Sequence, residues 1–137
     1  MRILALDLGD VWVGTALSDP MGFLAKPYKT IKAPELGDFI QITVEQYQIK
    51  TVVIGNPTTL KGQQSEQTKK VHALKSQLQE QFPEMEWILW DERLSSKQAE
   101  KYKKGSSKEQ KINLHSIAAA LILETYLNYL QFQKSLE

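Results

Sequence analysis

Leu4-Ala5-Leu6-Asp7-Leu8-Gly9-Asp10-Val11-Trp12-Val13-Gly14-Thr15-Ala16-Leu17-Ser18-Asp19 decides how this chain is read. An apolar run from Ile3 to Leu8 carries one charge, Asp7, and two glycines follow at the place of a hairpin. A carboxylate inside an apolar strand is costly unless it is paired or bound to a cation. Gly9 and Gly14 let the backbone turn tightly and come close to a phosphate. The same residues also suit a plain turn with hairpin glycines, so the rest of the chain has to decide between structure and chemistry.

Outward from this stretch, residues 2–8 read as a strand and 12–18 as its antiparallel partner across Gly9-Asp10. Residues 25–32 form a third strand, and Pro34 and Glu35 start a helix to about Tyr47. Thr51-Val52-Val53-Ile54 is a short β-branched run of the buried kind, ending at Gly55-Asn56-Pro57. A polar segment then leads to a helix with Val71, Leu74 and Leu78 on one side. Trp87-Ile88-Leu89-Trp90 makes a fifth strand that stops at Asp91-Glu92-Arg93. Ser95 or Ser96 caps a short helix to about Lys103, a lysine-rich loop follows, and a last helix covers roughly residues 113–132 with Asn113 as its N-cap. Neither repeat nor linker divides the chain, so residues 1–137 read as one domain. Three antiparallel strands followed by two strand–helix crossovers predict an α/β fold, a mixed five-stranded sheet flanked by helices in the order of the ribonuclease H-like fold. The carboxyl ends of the central parallel strands share one edge in such a sheet. Asp7, the Gly55-Asn56-Pro57 turn and Asp91-Glu92 can therefore converge although they are distant in sequence.

Composition narrows the chemistry. A chain of 137 residues buries roughly 70% of its unfolded surface and needs no covalent staple. Without cysteine it has no disulfide and no thiolate metal site, so a metal must use oxygen or imidazole, and a reducing cytoplasm suits it. Asp7 interrupts the first apolar stretch too early for a signal peptide, and no apolar run approaches the roughly 18 residues of a membrane span. The expected location is cytoplasmic. Seventeen basic against sixteen acidic residues create no global field for a polyanion. Lys101, Lys103, Lys104, Lys108 and Lys111, interleaved with Gly105, Ser106 and Ser107, form a local basic loop. It is either a solvated loop or a phosphate-binding one, and in the second case each lysine–phosphate contact releases about one counterion.

Four blocks in order carry a family resemblance: Asp7-x-Gly9 with Gly14 and Ser18-Asp19; Val53-Ile54-Gly55-Asn56-Pro57 with Gly62 after it; Asp91-Glu92-Arg93-Leu94-Ser95; and Ser116-Ile117-Ala118-Ala119-Ala120-Leu121-Ile122-Leu123-Glu124. Over nearly its whole length the chain resembles the RuvC-like Holliday junction resolvases, also described as pre-16S rRNA nucleases (the YqgF family). The resemblance implies a ribonuclease H-like fold and a cytoplasmic, divalent-metal nuclease of structured nucleic acid. It would act at the 5′ end of pre-16S rRNA in ribosome biogenesis or resolve Holliday junctions. The family's three acidic positions fall on Asp7, on Glu92 with Asp91 beside it, and on His115, where the pattern has Asp. The first hairpin departs too: the pattern usually has a basic residue soon after the first glycine, and this chain has Asp10, Val11 and Trp12.

Cutting a phosphodiester requires an activated water and stabilised charge on phosphorus and the leaving oxygen, which two magnesium-like ions about 3.5–4 Å apart can supply. The expected catalytic and metal-holding residues are Asp7, Glu92 and His115, with Asp91 as a further candidate ligand for Mg²⁺ or Mn²⁺. Asp91 and Glu92 are adjacent on a strand and point to opposite faces, so one of them reaches the site, and the motif selects Glu92. His115 shares a helix side with Ala118, Ala119, Ile122 and Tyr126 and is read in the first turn, either as a metal ligand or base or as a structural residue. As a nitrogen ligand it would shift preference from magnesium toward manganese or zinc. Gly9, Asn56, Thr58, Lys61, Arg93, Lys103 and Lys104 are the candidate substrate contacts. Trp12 at the hairpin tip can stack on a base or belong to the core, and Trp87 and Trp90 are assigned to packing. Expected partners are pre-16S rRNA or branched DNA. The chain would work as a monomer or a homodimer, with Tyr126, Tyr129, Leu130 and Phe132 either at an interface or capping the core. Two other functions fit some of these residues. One is a non-catalytic nucleic-acid-binding module of the same fold. The other is an actin-like nucleotide-phosphate-binding domain, which shares Asp-x-Gly with a following glycine but normally closes two such domains around its nucleotide.

Overall fold

A computed structural model describes residues 2–56, 66–91 and 108–136, with the backbone alone for 108–112. Strands β1 (Ile3–Leu8), β2 (Trp12–Ser18) and β3 (Ala25–Lys32) come first. A 3₁₀ turn at Ala33–Glu35, with Pro34 in its first positions, leads into α1 (Leu36–Tyr47). Then follow β4 (Thr51–Asn56), α2 (Glu66–Gln81), β5 (Glu86–Asp91) and α3 (Lys108–Ser135). The expected short helix at 95–103 lies outside the described residues.

The five strands form one sheet in the order β3-β2-β1-β4-β5. β1–β2 and β2–β3 are antiparallel, while β1–β4 and β4–β5 are parallel. This is the expected mixed sheet, with β1 at its centre. Both sides of β1 are covered, and Leu4, Ala5 and Leu6 are wholly buried. That double burial explains why the strand reads as a continuous apolar run rather than an alternating one.

Strand alternation sorts the core into two layers. Leu4, Leu6, Leu8, Val13, Leu17, Val52 and Ile54 face α1 and α2, meeting Leu36, Ile40, Val71 and Leu78. Ala5, Ala16 and Val53 face α3, meeting Ala119, Ile122, Leu123, Tyr126 and Leu127. Small residues on the second face let α3 settle close to the sheet. α1 stops where Gln48 takes a left-handed conformation (φ 53°), and the Ile49 N–H donates to the Val44 carbonyl.

One boundary differs from the sequence expectation. α3 begins at Lys108, not near Asn113, so Asn113 is inside the helix and cannot be its N-cap. Its carbonyl instead accepts a 2.8 Å hydrogen bond from Ser116 Oγ. Lys108, Glu109, Gln110 and Lys111 are good helix formers without an apolar rhythm, which is why apolar periodicity detects this helix late.

Candidate active site

Asp7 stands one residue before the end of the central strand, half-buried, paired across the ladder with Gly14 of β2. Directly opposed residues of an antiparallel pair project to the same face. That face is the one covered by α3, since Asp7 alternates with Ile3 and Ala5 of the α3 layer.

Gly14 is where helix and sheet meet most closely. A Cβ built on Gly14 would lie 1.8 Å from the His115 carbonyl oxygen, 2.1 Å from its carbon and 2.7 Å from the Ser116 nitrogen. Any side chain larger than hydrogen would occupy the helix backbone. Glycine at this position therefore lets α3 lie on the sheet with His115 over the strand residue that opposes Asp7. The contact sets the backbone of His115 against the residue that opposes Asp7, 108 positions earlier in the sequence.

Gly9 has a different task. Its N–H donates to the Trp12 carbonyl at 3.1 Å, and a Cβ there would stand 2.5 Å from that same oxygen. The hairpin closes only around a residue with no side chain. On its far flank Gln67 Nε2, from the first turn of α2, donates to the Leu8 carbonyl at 3.1 Å. Lys70 Nζ reaches Asp10 Oδ1 at 3.4 Å, an exposed ion pair worth ~1 kcal/mol or less. A cation thus stands at the hairpin although the hairpin's own sequence has none.

A family model described as RuvX, Holliday junction resolvase, matches residues 1–129. The chain belongs to this family. Among its relatives, the "Putative pre-16S rRNA nuclease" of Rubrobacter xylanophilus is 35% identical over 127 residues, covering 92% of this chain and 91% of that protein. The protein of the same name from Chlamydia abortus is 40% identical over 138 residues, covering 92% and 89%. Among solved structures, Thermus thermophilus RuvC in complex with a Holliday junction substrate superposes with a TM-score of 0.64 at 15% identity, covering 96% of each chain. At that identity the likeness is one of fold, and it is the ribonuclease H-like fold expected from the strand order.

In this RuvX-family chain the remaining candidate residues divide as follows. Asp91 closes β5 on the face of Trp87 and Leu89, beside α1 and α2, and so projects away from Asp7. Asn56 pairs with Asp91 on that same face, and its Oδ1 is buried without a hydrogen-bond partner among the described residues. His115 is half-buried in the second turn of α3, not in the first turn where the sequence placed it, because the helix starts at Lys108. Glu92, Thr58, Lys61, Arg93, Lys103 and Lys104 lie outside the described residues. Among the described residues no group of three His, Asp or Glu side chains could hold an ion by itself. Gln67 and Lys70 were missed by sequence reasoning. Both are ordinary polar positions on a helix, and nothing local says that this helix starts beside the hairpin.

Proposed function

We propose that this chain is a metal-dependent endonuclease of structured nucleic acid that processes the 5′ end of pre-16S rRNA in the cytoplasm. Family membership and relatives bearing that name over nine-tenths of the chain support the substrate. One observation carries the catalytic reading: Asp7, half-buried at the end of the central strand, lies opposite the glycine on which His115 rests. No described helix is long and apolar enough to cross a membrane.

In this reading Asp7 and Glu92 offer carboxylate oxygens and His115 an imidazole nitrogen, a donor set that fits a hard divalent ion and, through the nitrogen, favours Mn²⁺ over Mg²⁺ more than three carboxylates would. A divalent ion held there would supply charge stabilisation at phosphorus and at the leaving oxygen. Asp91, on the opposite face, is left out of the set. Asp7 is half-buried beside the α3 layer, where its charge is less screened than at a fully exposed position. Gly14 keeps His115 at a set height above the sheet, so that the third donor comes from the helix and not from a strand.

The test is cleavage of a precursor 16S rRNA fragment and of a four-way DNA junction in Mg²⁺ or Mn²⁺ by the wild-type chain and by Asp7→Asn, Glu92→Gln and His115→Ala. Cutting of the rRNA that is lost in Asp7→Asn supports the proposal. Equal cutting by the wild type and Asp7→Asn overturns it, and preferential cutting of the junction overturns the choice of substrate.

A further inference from the structure

The three tryptophans of this chain are not equivalent. Trp87 sits in the α1/α2 layer with its indole N–H donating to the Phe82 carbonyl at 3.1 Å. Trp90 packs on Tyr126 and Tyr129 and donates to Thr125 Oγ1 at 2.8 Å. Both are structural, with apolar body and polar tip satisfied. Trp12 is half-buried, joins neither hydrophobic layer, and its indole N–H has no hydrogen-bond partner among the described residues. A cation stands beside its ring: Lys32 Nζ lies 6.0 Å from the ring centre.

The place of this pair matters. Trp12 alternates with Gly14 along β2, so it stands on the face that Asp7 and α3 share. Asp7 opposes Gly14, which makes Trp12 its diagonal neighbour across the ladder, about 7–8 Å away between Cα atoms. One unstacked nucleotide can bridge that gap. The platform is also rigid: Trp12 opposes Lys32 across the β2–β3 pair, the Trp12 carbonyl accepts from the Gly9 N–H, and the Val11 carbonyl accepts from the Ala33 N–H at 2.9 Å. A flat aromatic face, an indole donor without a partner among the described residues and an ammonium on the neighbouring strand match the face of a base, its sugar–phosphate oxygens and the charge of its phosphate.

We propose that Trp12 and Lys32 form a stacking platform that holds one unpaired nucleotide next to the scissile phosphate and so selects RNA with a single-stranded flank over a fully paired end. This rests on the nuclease reading of Asp7 for its place in the reaction but not for its binding prediction. Trp12 is a positioning residue here, since it grips the substrate beside the bond and not the reacting atoms.

The test measures equilibrium binding in the Asp7→Asn background, which keeps the substrate uncut. Two labelled RNAs are compared: a stem with a single-stranded flank and the same stem with a blunt end. Trp12→Ala should weaken binding of the flanked RNA about 5- to 100-fold, the range expected for loss of one stacked base, and leave the blunt stem within twofold. Trp12→Phe should restore most of the loss, and Lys32→Ala should lower the slope of log K against log salt by about one phosphate contact. Equal weakening of both RNAs by Trp12→Ala, no weakening of either, or no binding of either RNA by the parent overturns the platform. A melting loss in Trp12→Phe that accompanies a binding loss as large as that of Trp12→Ala also overturns it, by showing Trp12 to be structural. The two readings fail separately: flank-dependent binding through Trp12 without cleavage by the wild-type chain would sink the nuclease assignment and leave the platform standing.

Discussion

Replacing Gly14 with alanine is the sharpest perturbation this fold offers. The added carbon would lie 1.8 Å from the His115 carbonyl oxygen, whereas ordinary contact begins near 3.4 Å, so α3 must withdraw locally by about 1.6 Å or the strand must bend away. The colliding atoms are helix backbone and cannot rotate aside as a flexible side chain would. Overpacking of this kind costs typically ~1–3 kcal/mol. For a domain of this length that corresponds to a fall in Tm of about 3–15 °C. Because the displaced backbone carries His115, the loss of activity should exceed the loss of stability, and an ångström of misplacement can reduce turnover about 10²-fold. Circular dichroism melting and rRNA cleavage below the variant's Tm measure the two effects. Gly37→Ala is the control: a Cβ there meets Gln81 Nε2 at 3.5 Å, an ordinary distance, and alanine inside α1 should be neutral or stabilise by about 0.5–1 kcal/mol. A Gly14→Ala chain that melts within a degree of the wild type and cuts at the same rate would refute the reasoning about this contact.

Other outcomes follow from the same geometry. Asp19 Oδ1 accepts from the Leu24 and Phe23 N–H groups at 2.8 and 2.7 Å, and these bonds, that of Leu24 foremost, hold its carboxyl below the ordinary value of 3.8. A depressed folded pKa gives stability that is present above the unfolded value and is lost as pH falls through the folded one. The Tm deficit of Asp19→Ala should therefore be full at pH 6 and shrink below about pH 4; a deficit unchanged from pH 6 to pH 3 would contradict it. His115→Asp, which restores a third carboxylate, should raise the ratio of Mg²⁺- to Mn²⁺-supported cleavage, and identical ratios in wild type, His115→Asp and His115→Ala would remove His115 from the metal site. Millimolar ATP should leave the Tm unchanged, and a clear rise would favour the actin-like reading over the nuclease.

Local rules carried much of this protein. The apolar run through Asp7, the hairpin glycines and the β-branched segment at 51–54 are short-range patterns whose burial follows from period and composition, so five strands and their order were legible before any coordinates. Strand alternation also led to the expectation that Asp91 and Glu92 part, and Asp91 does lie on the face away from Asp7. What stayed hidden was whatever depends on where distant segments meet. That α3 starts at Lys108 depends on helix propensity without an apolar rhythm, and that α2 opens beside the hairpin depends on the crossover.

The chain's own pattern therefore determined the sheet, its connection order and the residues rich enough in chemistry to matter. Tertiary structure decided their relations: Gly14 proved to be the seat of the final helix, Asp91 turned away from Asp7, and Trp12 was left outside both apolar layers. The reason is physical. Secondary structure answers to neighbours a few residues away, whereas a close approach of two backbones is set by side chains missing from one strand and a helix about a hundred residues later.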